Sequence, residues 1–337
     1  MNLWLLLPVV AGASLLITGL LRRYALTKSL IDIPNARSSH TVPTPRGGGV
    51  AIVLSFLAML PLGWMQGVLS LEIMLAFLGA GALVAVIGFM DDHGHIAARW
   101  RLLGHFAGAI WALFWLGGLP PLTVVGYVLD LGWIGAVLAA FYLVWMLNLY
   151  NFMDGIDGLA SVEAMCATLG MCVIYYASGH FALIWPALVL GLAVAGFLFW
   201  NFPPARIFMG DAGSGFLGII LGILALHSAW SDSQLFWAWL ILLGVFIVDA
   251  TVTLVRRLMV GQKVYEAHRT HAYQYASRAY GKHLPVTLGV LLINLIWLLP
   301  LAWAVACLGL DGVLGLFVAY IPLLVLAIKF DAGKPER

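Results

Sequence analysis

Charge is what this chain has least of. Of its 337 residues only 17 are Lys or Arg and 15 are Asp or Glu, so 9% of the chain is charged while 63% is hydrophobic. A net charge of +2 provides no basic surface of the kind that holds a nucleic acid, which removes that class of partner. Cysteine is nearly absent. Cys166, Cys172 and Cys307 lie inside apolar stretches with neither metal-site spacing nor a disulfide framework, and are expected to be buried and inert. Basic residues are also missing from every second connecting segment, and that absence orients the chain.

What is present is apolar sequence in lengths of about 18–21 residues, each able to cross the roughly 30 Å hydrocarbon layer of a bilayer. About eleven such windows run at 3–21, 47–65, 71–90, 102–119, 132–149, 159–177, 181–200, 213–230, 234–254, 286–306 and 311–329. The expected fold is all-α, a polytopic integral membrane protein forming one domain over 1–337. The first window has no charge before it and Arg22-Arg23 after it, so it is expected to stay as a helix rather than be cleaved. With the N-terminus outside, segments 22–46, 91–101, 150–158, 201–212, 255–285 and 330–337 share one side, and all 17 Lys and Arg fall in them or at their borders. The opposite segments hold Glu72, Asp130, Asp232 and Asp311 and no basic residue. The positive-inside rule then makes the first side cytoplasmic, with the N-terminus periplasmic and the C-terminus cytoplasmic. Fourteen Trp and eleven Tyr suit interfacial belts.

The polar residues that remain are concentrated. In NLYNFMDGIDGL, 148–159, Asn148, Asn151, Asp154 and Asp157 recur every three residues at the mouth of an apolar helix, and Gly155 and Gly158 allow close backbone approach. Any one of them is explained by a capped, hydrated turn. Four together, with no Lys or Arg beside them in sequence, would repel and desolvate badly unless a cation compensated them. Asp91 and Asp92 end another apolar window, where the helix dipole disfavours acids. A metal, a salt bridge to Arg99 or Arg101, or a proton-transfer role would each account for the pair. His93, His95 and His105 close no tetrahedral zinc set. Asp211 opens a helix beside Gly210, Gly213, Ser214 and Gly215, after Asn201 and the break at Pro203-Pro204. A helix cap explains Asp211 as well as a magnesium ligand does. Phe208 either stacks on a base or anchors the interface.

Other segments carry weaker signals. Gly47-Gly48-Gly49 open a helix whose free N–H groups could meet an anion, or simply permit tight packing, with His40 and Arg46 as phosphate-side candidates. Asp249 stands seven residues before Arg256, a spacing that puts an ion pair on one helix face. His268, Arg269 and His271 form a cationic cluster interleaved with Tyr265, Tyr273 and Tyr275, suited to a membrane surface or to phosphate oxygens. Carboxylates for magnesium and cations for phosphate, all opening to one face, point to phosphoryl transfer at a membrane.

The DD at 91–92, NLYNFMDGIDGLA at 148–160, the spacing from Asn201 to Asp211, GDAGS at 210–214 and the histidine-containing loop together resemble the polyprenyl-phosphate N-acetylhexosamine-1-phosphate transferase superfamily, over nearly the whole chain. The resemblance implies transfer of a sugar 1-phosphate from a UDP-sugar to undecaprenyl phosphate, with release of UMP, in the bacterial inner membrane. It implies Mg2+, with Mn2+ as a substitute, held by Asp211 and Asn151. It implies that Asp91 and Asp92 orient or deprotonate the lipid phosphate, and that His268 joins them in catalysis. Asp154, Asp157 and Phe208 would lie toward the nucleotide, Arg269 and His271 toward the diphosphate or sugar, and Asn148, Asn201 and Arg46 elsewhere on the substrate side. A homodimer is the assembly it implies.

One departure bears on the branch. The phospho-MurNAc-pentapeptide transferases carry three consecutive histidines in the last cytoplasmic loop, whereas this chain reads HRTHAYQ at 268–274. It is more similar to the branch that starts O-antigen or related polysaccharides, whose donors include UDP-GlcNAc and UDP-linked deoxy-N-acetyl sugars. A transporter of a lipid-linked sugar is the competing class. It would place ionisable groups near the bilayer midplane, where only Glu163 and Asp249 qualify. The helix pattern of a CDP-alcohol phosphotransferase is missing.

Overall fold

The computed structural model describes residues 3–34, 38–94, 96–262 and 268–335. The described chain is built from helices: α1 (Leu7–Thr27), α2 (Val50–Met65), α3 (Leu71–His93), α4 (Ala98–Leu116), α5 (Gly132–Met153), α6 (Leu159–Ala177), α7 (Ile184–Asn201), α8 (Asp211–Ala229), α9 (Ser233–Leu242), α10 (Gly244–Met259), α11 (Ala272–Tyr280), α12 (Leu284–Ile293), α13 (Leu299–Leu308) and α14 (Gly312–Lys329). Strand is limited to two short antiparallel pairs, β1 (Ile31–Asp32) with β2 (Thr44–Pro45), and β3 (Leu122–Val124) with β4 (Tyr127–Leu129). The protein is thus an all-α polytopic membrane protein.

Each of the eleven apolar windows is helical, but not all are alike. Eight helices among the described residues are long and apolar enough to span, and α9 with α10, bent by 70°, makes a ninth. Of the other two, α2 has only 16 residues. In α4, Arg99, Arg101 and His105 occupy the first two turns, which shortens its apolar part. One span, Leu284–Leu308, joins α12 to α13 through a π turn at Asn294–Leu298.

Helix α8 is the axis of the bundle, with 94% of its spanning window buried. Small residues let its neighbours approach. A Cβ on Gly218 would lie 2.5 Å from the Met146 carbonyl of α5, and one on Gly88 of α3 would lie 2.5 Å from the Asp211 carbonyl. This is the packing expected where lipid removes the hydrophobic drive between helices and close backbone contact replaces it. Gly49 belongs to the same contact, since a Cβ there would lie 2.5 Å from the Gly213 Cα of α8. The N–H groups of Gly48 and Gly49 are not open to an anion, because Gly48 donates to the Phe208 carbonyl at 2.9 Å and Gly49 to that of Met209 at 2.8 Å.

The two faces of the bundle solve the problem of helix starts differently. On the face without basic residues the caps are local: Asp232 accepts from the Gln234 N–H at 2.8 Å, Asp311 from those of Val313 and Leu314, and Ser70 from that of Ile73. On the opposite face, helices α2, α4, α6 and α8 receive no side-chain cap from their own N-cap residues. At α6 and α8 the free N–H groups are met instead by side chains from other helices, while before α2 those of Gly48 and Gly49 meet the backbone carbonyls of Phe208 and Met209. Asp249 shows the pattern. It does not pair with Arg256, as the spacing of seven suggested, but accepts from the Ala272 and Tyr273 N–H groups at 2.9 and 3.0 Å and so caps α11. Arg256 donates to the Ala332 carbonyl at 2.7 Å. With Gly333 N–H on Thr270 O and Tyr275 OH on Lys334 O, that bond docks the C-terminal segment against the loop before α11. Glu163, the other acid deep in the bundle, accepts from Asn294 Nδ2 at 2.7 Å. The three cysteines are half-buried and unpaired.

Gly88→Val is expected to lower stability by about 1–3 kcal/mol through overpacking at α8, whereas Gly12→Val, with open space around it, leaves it unchanged. Thermal unfolding of the two purified variants checks this, and equal melting temperatures would refute the packing role.

Candidate active site

The helix ends on the basic face enclose a polar cavity of about 390 Å³. Of the sequence-predicted site residues it is lined by His40, Arg46, Asp92, Asn151, Asp154, Asp157, Asn201, Phe208 and Asp211. Asp91 lies in a small adjoining space with Arg101, His105, Asn151 and Asp211. Four candidates are elsewhere. Asn148 turns into its own helix, where Nδ2 donates to the Val144 carbonyl at 2.7 Å. His268, Arg269 and His271 stand outside the lining, and from their segment Gln274 reaches the cavity instead.

Three loops are fastened by cross-helix bonds. Asp92, at the end of α3, accepts from the Asp211 and Ala212 N–H groups at 3.1 and 3.2 Å and thereby caps α8. Gly210 leaves room for it, since a Cβ there would sit 2.7 Å from the Asp92 carboxylate. Arg46 donates to the Asp92 carbonyl. Asn201, at the end of α7, accepts from the Gly158 N–H at 3.0 Å at the start of α6 and donates to the Ile207 carbonyl at 3.1 Å. Asp157 accepts from the Ala205 N–H at 3.0 Å. Asp91 pairs with Arg101 and accepts from the Ile96 N–H at 2.8 Å, just ahead of α4. The dipole objection to Asp91 and Asp92 is therefore answered: each sits at the end of α3 but serves the start of another helix.

Exposure separates the carboxylates. The Asp211 side chain is 35% exposed and faces the cavity, against 7% for Asp91 and 5% for Asp92. Asp211 is the acid best placed to meet a ligand. Arg101 lies 3.5 Å from it while bound to Asp91. Asp154, at the end of α5, has no hydrogen-bond donor on its carboxylate among the described residues. Its enclosure, together with Asp211, Asp92 and Asp157 around it, holds its carboxyl well above the usual carboxylate range. Arg46, Arg101 and His283, all distant in sequence, come to the cluster, yet each contacts another partner and Asp154 keeps no counter-charge among the described residues.

Metal fits here in one way only. Among the described residues no three His, Cys, Asp or Glu side chains converge on a point that could hold an ion. Magnesium, however, binds through one or two protein oxygens with the rest supplied by water and phosphate. Asp211 and Asn151, both lining the two adjoining cavities, are of that kind.

The His-Arg cluster forms a layer behind the wall. His268 and His271 stack with centroids 4.9 Å apart, next to Phe152. His271 is 2% exposed, with Nδ1 3.4 Å from Asp249. The Tyr273 hydroxyl donates to the Phe152 carbonyl at 2.9 Å, tying this layer to the 148–159 segment. Tyr265 and His95 lie outside the described residues. Sequence reasoning passed over His283, which lines the cavity between Asp157 and Ser39, and Gln274. No local pattern marks His283, whose partners are more than a hundred residues away, whereas Gln274 accepts locally from the His271 N–H at 3.2 Å.

Comparison with known proteins adds to this geometry. The profile of glycosyl transferase family 4 matches residues 74–229, which hold every cavity-lining candidate except His40 and Arg46. The chain is 30% identical over 322 residues to a probable undecaprenyl-phosphate N-acetylglucosaminyl 1-phosphate transferase of Bacillus subtilis, covering 93% of this chain and 87% of that protein. It is 29% identical to a decaprenyl-phosphate N-acetylglucosaminephosphotransferase of Mycolicibacterium smegmatis, over 76% of this chain and 70% of that one. A phospho-N-acetylmuramoyl-pentapeptide-transferase of Desulforudis audaxviator shares 31% identity, over 78% and 88%.

Asp92→Asn removes a charge and an acceptor from the start of α8 and is expected to destabilise the protein by about 1–2 kcal/mol. Asp211→Asn relieves carboxylate crowding and melts no lower than wild type. Calorimetry or fluorescence-monitored melting of both variants distinguishes a cap from a ligand, and the reverse order would overturn the assignment.

Proposed function

The chain belongs to glycosyl transferase family 4, and from that premise we propose that it moves an N-acetylhexosamine 1-phosphate from a UDP-sugar to a polyprenyl phosphate in the bacterial inner membrane, with the cavity on the cytoplasmic face. The observation that carries this reading is the exposed Asp211 beside the uncompensated Asp154, at the end of a membrane bundle where an anionic, metal-carrying donor can meet a lipid headgroup.

In this reading an oxygen of the lipid phosphate attacks the sugar-linked phosphorus of the donor. The bond from that phosphorus to the bridging oxygen breaks, UMP leaves, and a polyprenyl diphosphate sugar remains. Asp211 and Asn151 would hold Mg2+, and the chemistry it would supply is neutralisation of phosphate charge. A cation in the cavity would favour the ionised form of Asp154, which its enclosure and its acidic neighbours otherwise suppress. Asp157 and Phe208 face the nucleotide, and Arg46 offers a cation to phosphate oxygens. Asp91 and Asp92 act chiefly by position, holding Arg101 and the start of α8. The phosphate monoester loses its second proton near pH 6, so the attack asks little of a base. His268, Arg269 and His271 support the wall through Phe152 and Gln274.

Undecaprenyl phosphate is the acceptor we propose, and the branch that initiates O-antigen or related polysaccharides is the one supported by HRTHAYQ at 268–274. The donor belongs to the UDP-linked N-acetylhexosamines or their deoxy forms.

Purified protein supplied with undecaprenyl phosphate and a panel of labelled UDP-sugars is expected to form labelled lipid from one or a few donors. Chelation abolishes the product and Mg2+ restores it, and Asp211→Asn lowers kcat/KM by about 100-fold or more. Lipid product made equally well in excess chelator would contradict the metal assignment, and no product from any donor would contradict the reaction.

A further inference from the structure

His283 has a place in this site that the transfer chemistry does not require. It stands just before α12, 16% exposed, and both of its ring nitrogens face oxygen. Nδ1 lies 3.1 Å from Asp157 Oδ1, and Nε2 lies 2.9 Å from the Ser39 carbonyl. An imidazole ring with an acceptor at each nitrogen donates from both, which only the protonated form can do. The Asp157 N–H at 3.4 Å from Nδ1 is the longer contact. The other oxygen of Asp157 accepts from Ala205, and the Asp157 carbonyl accepts from Thr287 Oγ1 at 2.9 Å. Four stretches of chain meet here: the loop at 38–46, the turn between α5 and α6, the loop at 202–210 and the start of α12.

The ring also divides two spaces. Besides the carboxylate cavity it lines an outer one of about 630 Å³, with Ser39, His40, Asp157 and Phe208 shared between them. Phe208, between the first and third stretches, stacks edge-on with His40 at 4.9 Å and donates its N–H to the Pro45 carbonyl. The wall on which the nucleotide-side residues stand is thus fastened at one ring.

We propose that His283 is a positioning residue for the donor: in its protonated form it ties Ser39 to Asp157, and through Asp157 and Phe208 it sets the width of the cavity that receives the nucleotide. This rests on the donor reading above. Asp157 from the α5–α6 turn is the acid facing the ring. His40, paired with Asp32 at 3.6 Å, stands across from it on the 38–46 loop, and Arg278 and Lys282 stand on its own segment. Although burial alone would lower it, the Asp157 carboxylate and the Ser39 carbonyl raise the pKa of His283 above the ordinary histidine value. The strap is accordingly complete below that value and is lost as pH rises through the raised pKa.

The test uses the full chain in detergent, wild type beside His283→Gln, and Asp157→Asn as a second break of the same contact. Hydrogen exchange over 38–46 and 202–208, corrected for intrinsic pH dependence, is measured without substrate at about pH 6 and about pH 9, either side of a histidine pKa. Wild type is expected to lose protection in both stretches at the higher pH, and both variants to show low protection at either. Where transfer is measured, His283→Gln raises donor KM by roughly tenfold at neutral pH, the loss of a charge-assisted hydrogen bond, with kcat little changed and the alkaline rise in KM gone. Protection in His283→Gln equal to wild type at about pH 6, or a KM profile with the same alkaline rise, would overturn the proposal. The exchange measurement needs no turnover, so an inactive wild type counts against the reaction and not against the strap.

Discussion

The start of a helix inside a membrane bundle leaves backbone N–H groups that water cannot easily reach, and on one face of this protein other helices supply what is missing. Asp92 of α3 holds the start of α8, Asn201 of α7 that of α6, Asp249 of α10 that of α11, and Asp91 lies at the approach to α4. The first two bonds join the end of one span to the beginning of another, so each also sets the distance between two loops. On the opposite face, where Ser70, Asp232 and Asp311 serve their own helices, loops can vary without disturbing their neighbours. The difference explains why polar residues are concentrated at one end of an otherwise apolar chain, and why that end holds the cavity.

The arrangement has an electrostatic consequence. Drawing carboxylates to helix starts satisfies N–H groups locally, but it also brings Asp92, Asp154, Asp157 and Asp211 around one cavity. Three of them have hydrogen bonds or cations that share the burden. Among the described residues Asp154 has neither, and it borders the space into which Asp211 opens, so a cation carried in with a phosphate ligand would relieve the crowding of acids. Like-charge clusters of this kind mark functional sites in general. The two acids deep in the sequence that favoured a transporter, Glu163 and Asp249, instead have partners that belong to the fold, an amide from Asn294 and the start of α11.

Much of this was legible in the sequence, and the exceptions share a cause. Apolar length located nine spans among the described residues, because the bilayer sets a minimum length, and the windows at α2 and α4 are shorter in apolar length. Carboxylates and carboxamides in a chain with 9% charge stood out as site residues for the same reason. What could not be read was pairing at a distance. The seven-residue spacing of Asp249 and Arg256 pointed to an intrahelical pair, and tertiary N–H groups took Asp249 instead. Free N–H groups at 48 and 49 were taken by Phe208 and Met209. Histidines 268 and 271 drew attention as a cluster and stand outside the lining, whereas His283, isolated in sequence, lines the cavity. Local spacing carries information only where the partner is local.

The central claim is that the carboxylate cavity takes a divalent cation together with the donor's phosphates, through Asp211. Electron paramagnetic resonance of Mn2+ titrated into the purified protein, with and without a UDP-sugar, tests it without requiring turnover. The account predicts weak Mn2+ binding alone, much tighter binding with the UDP-sugar, line broadening from phosphorus nearby, and loss of that enhancement in Asp211→Asn. Mn2+ affinity that ignores the nucleotide, or an enhancement that survives Asp211→Asn unchanged, would contradict it.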